Sequence, residues 1–249
     1  MSTLVYVGAN VGVSLWTLFD KFDSVYVFEP DPEMFSELKR RFNQFEWVTL
    51  VNAACSDKKG TAKFYVTGNR VASGLGESSE AFQKVYGSNA STLKEITVDT
   101  INLGEYLESE GVDFIDLYYS DCQGSDLTVL KTIKKFIDEK KIGETFMETH
   151  ADGSEIYIGL DNQFSGFKKL LNKNYDFIHA AMGTYQVTEA GPARLELNGQ
   201  YVTADKLEDT SKWGVANPEW DSYWRLKGHP EGVASVSYTH LTLPTSPHV

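Results

Sequence analysis

The chain has 249 residues, 41% of them hydrophobic, two cysteines and a formal net charge of −12. That length buries a full core without covalent staples, two cysteines cannot build a disulfide scaffold, and the composition excludes disorder as the dominant state. The negative charge argues against nucleic acid as a partner, because such binders need a cationic footprint. No window reaches the roughly 18 apolar residues of a membrane span, and no signal-peptide pattern precedes the first strand. A soluble cytoplasmic protein with reduced Cys55 and Cys122 is expected, with no membrane partner.

Leu4–Val7 reads as a buried strand, halted by Gly8, Ala9, Asn10, Val11 and Gly12. Leu15, Trp16, Leu18, Phe19 and Phe22 follow at three- and four-residue steps and predict a helix. Val25–Phe28 is a second strand, after which Asp31 suits an N-cap and Pro32 the first position of a helix lined by Met34, Phe35, Leu38 and Phe42. A third strand is expected over Val48–Asn52 and, after a turn at Asp57–Gly60, another over Thr61–Val66. Gly68–Ser91 reads as a long loop with one short helix and is a candidate pocket wall. A short strand segment at Thr97 and Val98 precedes a helix over Leu103–Ser109.

Phe114–Ser120 is the next strand, followed by one helix carrying Leu127, Leu130, Ile133 and Ile137, with Ser125 as its cap. Phe146 and Met147 centre a fifth strand, and Phe164, Phe167, Leu170 and Leu171 mark a helix. Strands are expected again at Tyr175–Ala180, Gln186–Thr188 and Arg194–Leu197. This alternation predicts an α/β, doubly wound, mostly parallel sheet with helices on both faces. Residues 1–213 are expected to form that domain, and 214–234, with Trp220 and Trp224, an aromatic segment against it that also serves as pocket wall. Residues 235–249 read as an unstructured tail resembling a translated sequencing adapter, so an artefact of a partial gene is expected at either end.

In such folds ligands bind beyond the carboxyl ends of the strands. Gly8, Asn10 and Gly12 follow the first strand, Glu29 the second, Ala54 and Ser56 the third, Asp121 the fourth and Glu148 the fifth. The first loop is G-x-N-x-G rather than the dinucleotide pattern G-x-G-x-x-G, which disfavours a pyrophosphate and a nicotinamide oxidoreductase. Taken alone it is also compatible with a plain tight turn. Glu29 follows Gly8 by about 20 residues, the offset at which an acid meets ribose hydroxyls. A nucleoside with ribose, a cationic centre and no pyrophosphate is S-adenosylmethionine.

Four runs, V-G-A-N-V-G from Val7, V-F-E-P-D-P from Val27, N-A-A-C-S-D-K-K-G from Asn52 and I-D-L-Y-Y-S-D-C-Q-G-S-D from Ile115, together resemble the FkbM family of S-adenosylmethionine-dependent methyltransferases. The resemblance implies a class I methyltransferase (Rossmann-like) fold and transfer to a hydroxyl oxygen of a small molecule or glycan. It implies that Gly8, Ala9, Asn10 and Gly12 hold the methionine part, Glu29 with Pro30 the ribose, and Ala54, Ser56 and Asp57 the adenine. Asp121 would face the methyl group and acceptor as base or anchor, with Glu148 and His150 as further catalytic candidates. The plainer readings are a loop cap for Asp121 and a group satisfying loop carbonyls for His150. The three also form an oxygen and imidazole set of the kind that holds a divalent cation, though no metal is assigned. Tyr6 and Tyr119 depart from the family's usual Asp and Lys, which keeps open a domain that binds the nucleotide and has lost turnover.

Overall fold

A computed structural model describes residues 1–68, 70–150, 153, 156–171, 178–181, 194–197 and 200–203. In chain order the elements are β1 (Thr3–Val7), β2 (Ser24–Phe28), α1 (Pro32–Phe42), β3 (Val48–Val51), β4 (Ala54–Ser56), β5 (Gly60–Thr67), α2 (Glu80–Tyr86) and β6 (Thr92–Asn102). They continue with α3 (Leu103–Ser109), β7 (Ile115–Ser120), α4 (Asp126–Thr132), α5 (Lys134–Asp138), β8 (Ile142–Met147), α6 (Phe164–Leu171), β9 (Ile178–Ala181), β10 (Arg194–Leu197) and β11 (Gln200–Thr203). The aromatic segment 214–234, the tail 235–249 and the expected strand at Gln186–Thr188 lie outside the described residues, as do 175–177.

The central sheet has five strands in the order β3-β2-β1-β7-β8, and every pairing in it is parallel. Period-two alternation divides β1 between two cores. Val5 and Val7 pack with Leu103 and Leu107 of α3, Leu127 and Leu130 of α4, and Phe167 of α6. Leu4 and Tyr6 face Leu15, Phe19, Leu38 and Phe42 on the other side. Each fully buried side chain of this size contributes about 1.5–3 kcal/mol, so both faces are needed to hold the sheet. Helices cover both faces, as expected.

α1 forms as its sequence reads: the Asp31 side chain accepts from Glu33 N at 2.9 Å, and Pro32 occupies the first turn. Three expectations are corrected. Leu15–Phe22 is not an α-helix but two short 3₁₀ turns, Leu15–Thr17 and Phe19–Lys21. Ser14 and Leu18 provide no side-chain cap there, and i, i+3 apolar spacing suits either helix type. The helix after β7 is split at Ile133 into α4 and α5, and Ser125 makes no cap bond. Its place is taken from a distance by Asn162 Oδ1, which accepts from Leu127 N at 2.9 Å. β6 is an 11-residue strand rather than a two-residue segment, pairing antiparallel with β5 and parallel with β4 in a second sheet. β9, β10 and β11 form an antiparallel sheet, with Arg194–Leu197 as expected.

Candidate active site

β1 lies between β2 and β7, so the chain reverses its winding between β1 and β7 and leaves a crevice beyond their carboxyl ends. A cavity of about 340 Å³ occupies it, within the range of small-molecule sites. One end, beyond β3, is walled by Ala53, Ala54, Cys55, Phe64 and Leu75. The other end, beyond β1 and β7, is walled by Tyr6, Val13, Ser14 and Asp121.

The loop after β1 is tightly wound. Gly8 has φ 79°, and a Cβ there would lie 1.9 Å from the Asp121 carbonyl oxygen, so only glycine permits this approach of the two strand ends. Gly12 has φ 80° and does not line the cavity; its missing side chain makes room for Leu38 and Phe42 of α1. Every N–H from Gly8 to Gly12 is consumed within the chain. Gly8 and Ala9 donate to Phe28 O at 2.9 and 3.1 Å, and Gly12 donates to Ala9 O at 2.8 Å. Val11 donates to Asn10 Oδ1 at 2.8 Å, and Asn10 to Glu29 Oε2 at 2.7 Å.

Glu29 is buried and lines the cavity. Its Oε1 accepts from Asp31 N at 2.7 Å, so its carboxylate bridges the loops after β1 and β2. Each oxygen keeps a further lone pair for a ligand hydroxyl. Burial pushes its pKa up to about 7 against the pull of the two N–H bonds.

The loop after β7 collects three carboxyls. Asp121 lines the cavity and accepts from Gln123 Nε2. Glu148, at the end of β8, is buried within hydrogen-bonding reach of Asp121 without lining the cavity. His150 Nε2 lies 3.6 Å from Glu148 Oε1, also away from the cavity wall. Asp126 accepts from Ser120 Oγ, Cys122 N and Asn162 Nδ2. Burial, then the Glu148 charge, raises Asp126 to about 7. Burial and the Glu148 charge drive Asp121 well above the ordinary carboxylate range. The loop cap is therefore Asp126, and Asp121 is left facing the cavity. Among the described residues, no group of three or more His, Cys, Asp or Glu side chains is arranged to hold a metal ion.

Of the remaining sequence candidates, Ala9, Pro30 and Ala54 line the cavity. Ser56 and Asp57 do not; Ser56 Oγ donates to Asp57 Oδ1 at 3.1 Å on the rim of β4. The long loop does supply a wall, through Arg70, Val71, Ser73, Gly74 and Leu75. Arg70 was not foreseen. Its guanidinium meets Asp31 at 2.8 Å and also Glu33, and its carbonyl accepts from Asn10 Nδ2 at 3.3 Å. Gln123 was also missed, and only its place three residues past β7 hinted at it. Tyr6 and Tyr119 are cross-strand neighbours, stacked at 4.2 Å, with Phe146 stacked on Tyr119 at 4.8 Å. The two phenols thus form one neutral stacked unit, of which Tyr6 lines the cavity and Tyr119 does not.

No curated protein matches the chain. A crystal structure of methyltransferase FkbM from Methylobacillus flagellatus KT is similar at 18% identity and a TM-score of 0.40, covering 59% of this chain and 32% of that one. The chain thus spans about a third of that protein's length. No helix among the described residues is long and apolar enough to cross a membrane. Residues 7–179, well over half of the chain, match the methyltransferase FkbM domain, and the chain belongs to that family of methyltransferases.

Proposed function

We propose that the cavity binds S-adenosylmethionine and that the chain methylates a hydroxyl oxygen of a small molecule or glycan. The observation that carries this reading is the saturation of the Gly8–Gly12 loop: all five of its N–H groups are already bonded. A pyrophosphate needs free N–H donors at this position. The loop has none to give, and Glu29, Asp31 and Asp121 surround it with acid. Such a site suits a cation and repels a dinucleotide, which disfavours an oxidoreductase.

The residues fit the group. The free lone pairs of Glu29 match a ribose diol, and the slot between Ala54, Phe64 and Leu75 matches an uncharged purine. When bound, the sulfonium supplies an electrophilic methyl carbon. Asp121 then anchors the acceptor hydroxyl and takes its proton, with Glu148 beside it to share that proton. The apolar walls exclude water, and alignment of this kind is worth about 7–11 kcal/mol. The neutral Tyr6–Tyr119 pair favours one other reading, binding without turnover.

Titration calorimetry tests the proposal. S-adenosylmethionine and S-adenosylhomocysteine are expected to bind and NAD is not; the reverse order overturns it. Release of S-adenosylhomocysteine with a panel of hydroxylated acceptors then separates turnover from binding alone.

A further inference from the structure

Gln123 connects Asp121 to Tyr157, a residue that does not line the cavity. Gln123 is buried, and its backbone is held at φ 49°. Its Nε2 donates to Asp121 Oδ1, and its Oε1 accepts from the Tyr157 hydroxyl. An ionised carboxylate only accepts, so it demands the NH₂ end of the amide. The carbonyl end then faces Tyr157, whose hydroxyl has to donate. Donation to the amide oxygen also strengthens the hydrogen bond that the NH₂ end donates to Asp121.

Tyr157 is well fixed for this task. It is fully buried and bridges to Ser78, with its ring centroid 5.9 Å from that of His150 and 5.7 Å from that of Phe82. Ser79 N donates to Ile156 O and Ile158 N to Glu77 O, both at 2.8 Å, which pins the backbone on either side.

We infer that Tyr157 is a positioning residue for Asp121: by locking the Gln123 amide in one orientation, it secures the bond that keeps the charge on Asp121. The inference rests on the cofactor proposed above. The other groups around Asp121 do not help it ionise. Glu148 at the end of β8 and Asp126 in α4 oppose its charge. The phenols of Tyr6 and Tyr119 and the thiol of Cys122 are neutral neighbours. His150 stands beside Glu148. Where two carboxyls share a proton, a donor fixed to one of them places the negative charge there.

The test needs no methyl acceptor. The sulfonium of S-adenosylmethionine is a cation and the thioether of S-adenosylhomocysteine is not, so the ratio of their affinities reads the charge on the carboxyls lining the cavity, Glu29 and Asp121 among them. A change at Tyr157, which reaches Asp121 through Gln123 and makes no bond to Glu29, isolates the share of Asp121. Both are titrated calorimetrically from pH 5.5 to 8.5. The wild-type preference for the sulfonium is expected to rise with pH as Asp121 ionises. In Tyr157→Phe that rise is expected to move up by about one pH unit, with the preference at neutral pH reduced about threefold to tenfold. S-adenosylhomocysteine affinity stays unchanged. Gln123→Met, similar in volume and uncharged, removes the donor from Asp121 without adding a charge to the cavity and is expected to move the rise further; it decides the matter if Tyr157→Phe does not fold. An unmoved rise in the variants overturns the inference, as does equal weakening of both ligands or a flat wild-type ratio. Wild-type protein that binds neither ligand overturns the cofactor reading instead.

Discussion

After β2, the Glu29 carboxylate receives two backbone N–H bonds at 2.7 Å; after β7, the Asp121 carboxyl receives one side-chain amide and faces two more acids. Both acids border the same cavity, and burial raises both. The difference lies in what compensates the burial. Backbone donors cannot turn away, so Glu29 is a fixed part of the loop and doubles as a staple. A side-chain amide can turn, so the state of Asp121 depends on the chain of groups behind it. On the proposed function, the acid that grips the ligand and the acid that takes a proton are distinguished by the kind of donor each is given.

The comparison is broken most severely where the two loops touch. Gly8→Ala puts a methyl group against the Asp121 carbonyl in a backbone region that side chains avoid, and is expected to cost more than about 3 kcal/mol. Thermal unfolding within a few degrees of wild type would refute the close approach. Glu29→Gln comes next, since an amide presents one oxygen where the carboxylate presents two. One of the Asn10 and Asp31 N–H groups is left unpaired, with an expected loss of about 1–3 kcal/mol in chemical denaturation. Calorimetry should also show at least a roughly tenfold drop in S-adenosylmethionine affinity. Unchanged stability and affinity together would remove Glu29 from both roles.

A smaller effect concerns pH. Folding raises both Glu29 and Asp126 to about 7, so the folded chain binds their protons more tightly than the unfolded chain does. The stability they contribute is full below the ordinary carboxylate range and is lost as pH rises through about 7. Denaturation midpoints are expected to fall between about pH 5 and 7.5, and Asp126→Asn to flatten that slope. A slope as steep in the variant as in wild type would place the titration elsewhere. The smallest effect is at the outer wall. Arg70→Ala removes two ion pairs of a partly exposed guanidinium, to Asp31 and Glu33, with a stability change of about 1 kcal/mol but ligand release faster by about threefold. Stopped-flow rates equal to wild type would show that Arg70 does not retain the ligand.

Much of this site was legible in the sequence because strand ends are legible. Gly8, Asn10, Glu29, Ala54 and Asp121 fall where apolar runs stop, and the sheet gathers such stops on one rim. Asp31 and Pro32 fixed the start of α1 through local chemistry alone. What escaped reading was set by distant partners. Gly12 looked like part of the binding loop but serves Leu38 and Phe42. Ser125 looked like a cap, but Asn162 does that work from 37 positions away, after chain that no local pattern links to α4. Arg70 sits alone in a stretch rich in glycine and serine, and β6 carries few apolar residues to announce it, with only Ile96 and Val98 joining the core of its sheet.

The contact between Gly8 and the Asp121 carbonyl decides which wall of the cavity is rigid. With no space for a single methyl group between them, the two strand-end loops behave as one solid jaw. The segment from Arg70 to Leu75 is held to that jaw at Arg70 by side-chain bonds to Asp31, Glu33 and Asn10. Any ligand of the cavity therefore meets one wall that cannot yield, at Gly8 and Asp121, and an opposite wall tied by the side-chain bonds at Arg70 and the pairing of Gly74 with Tyr65.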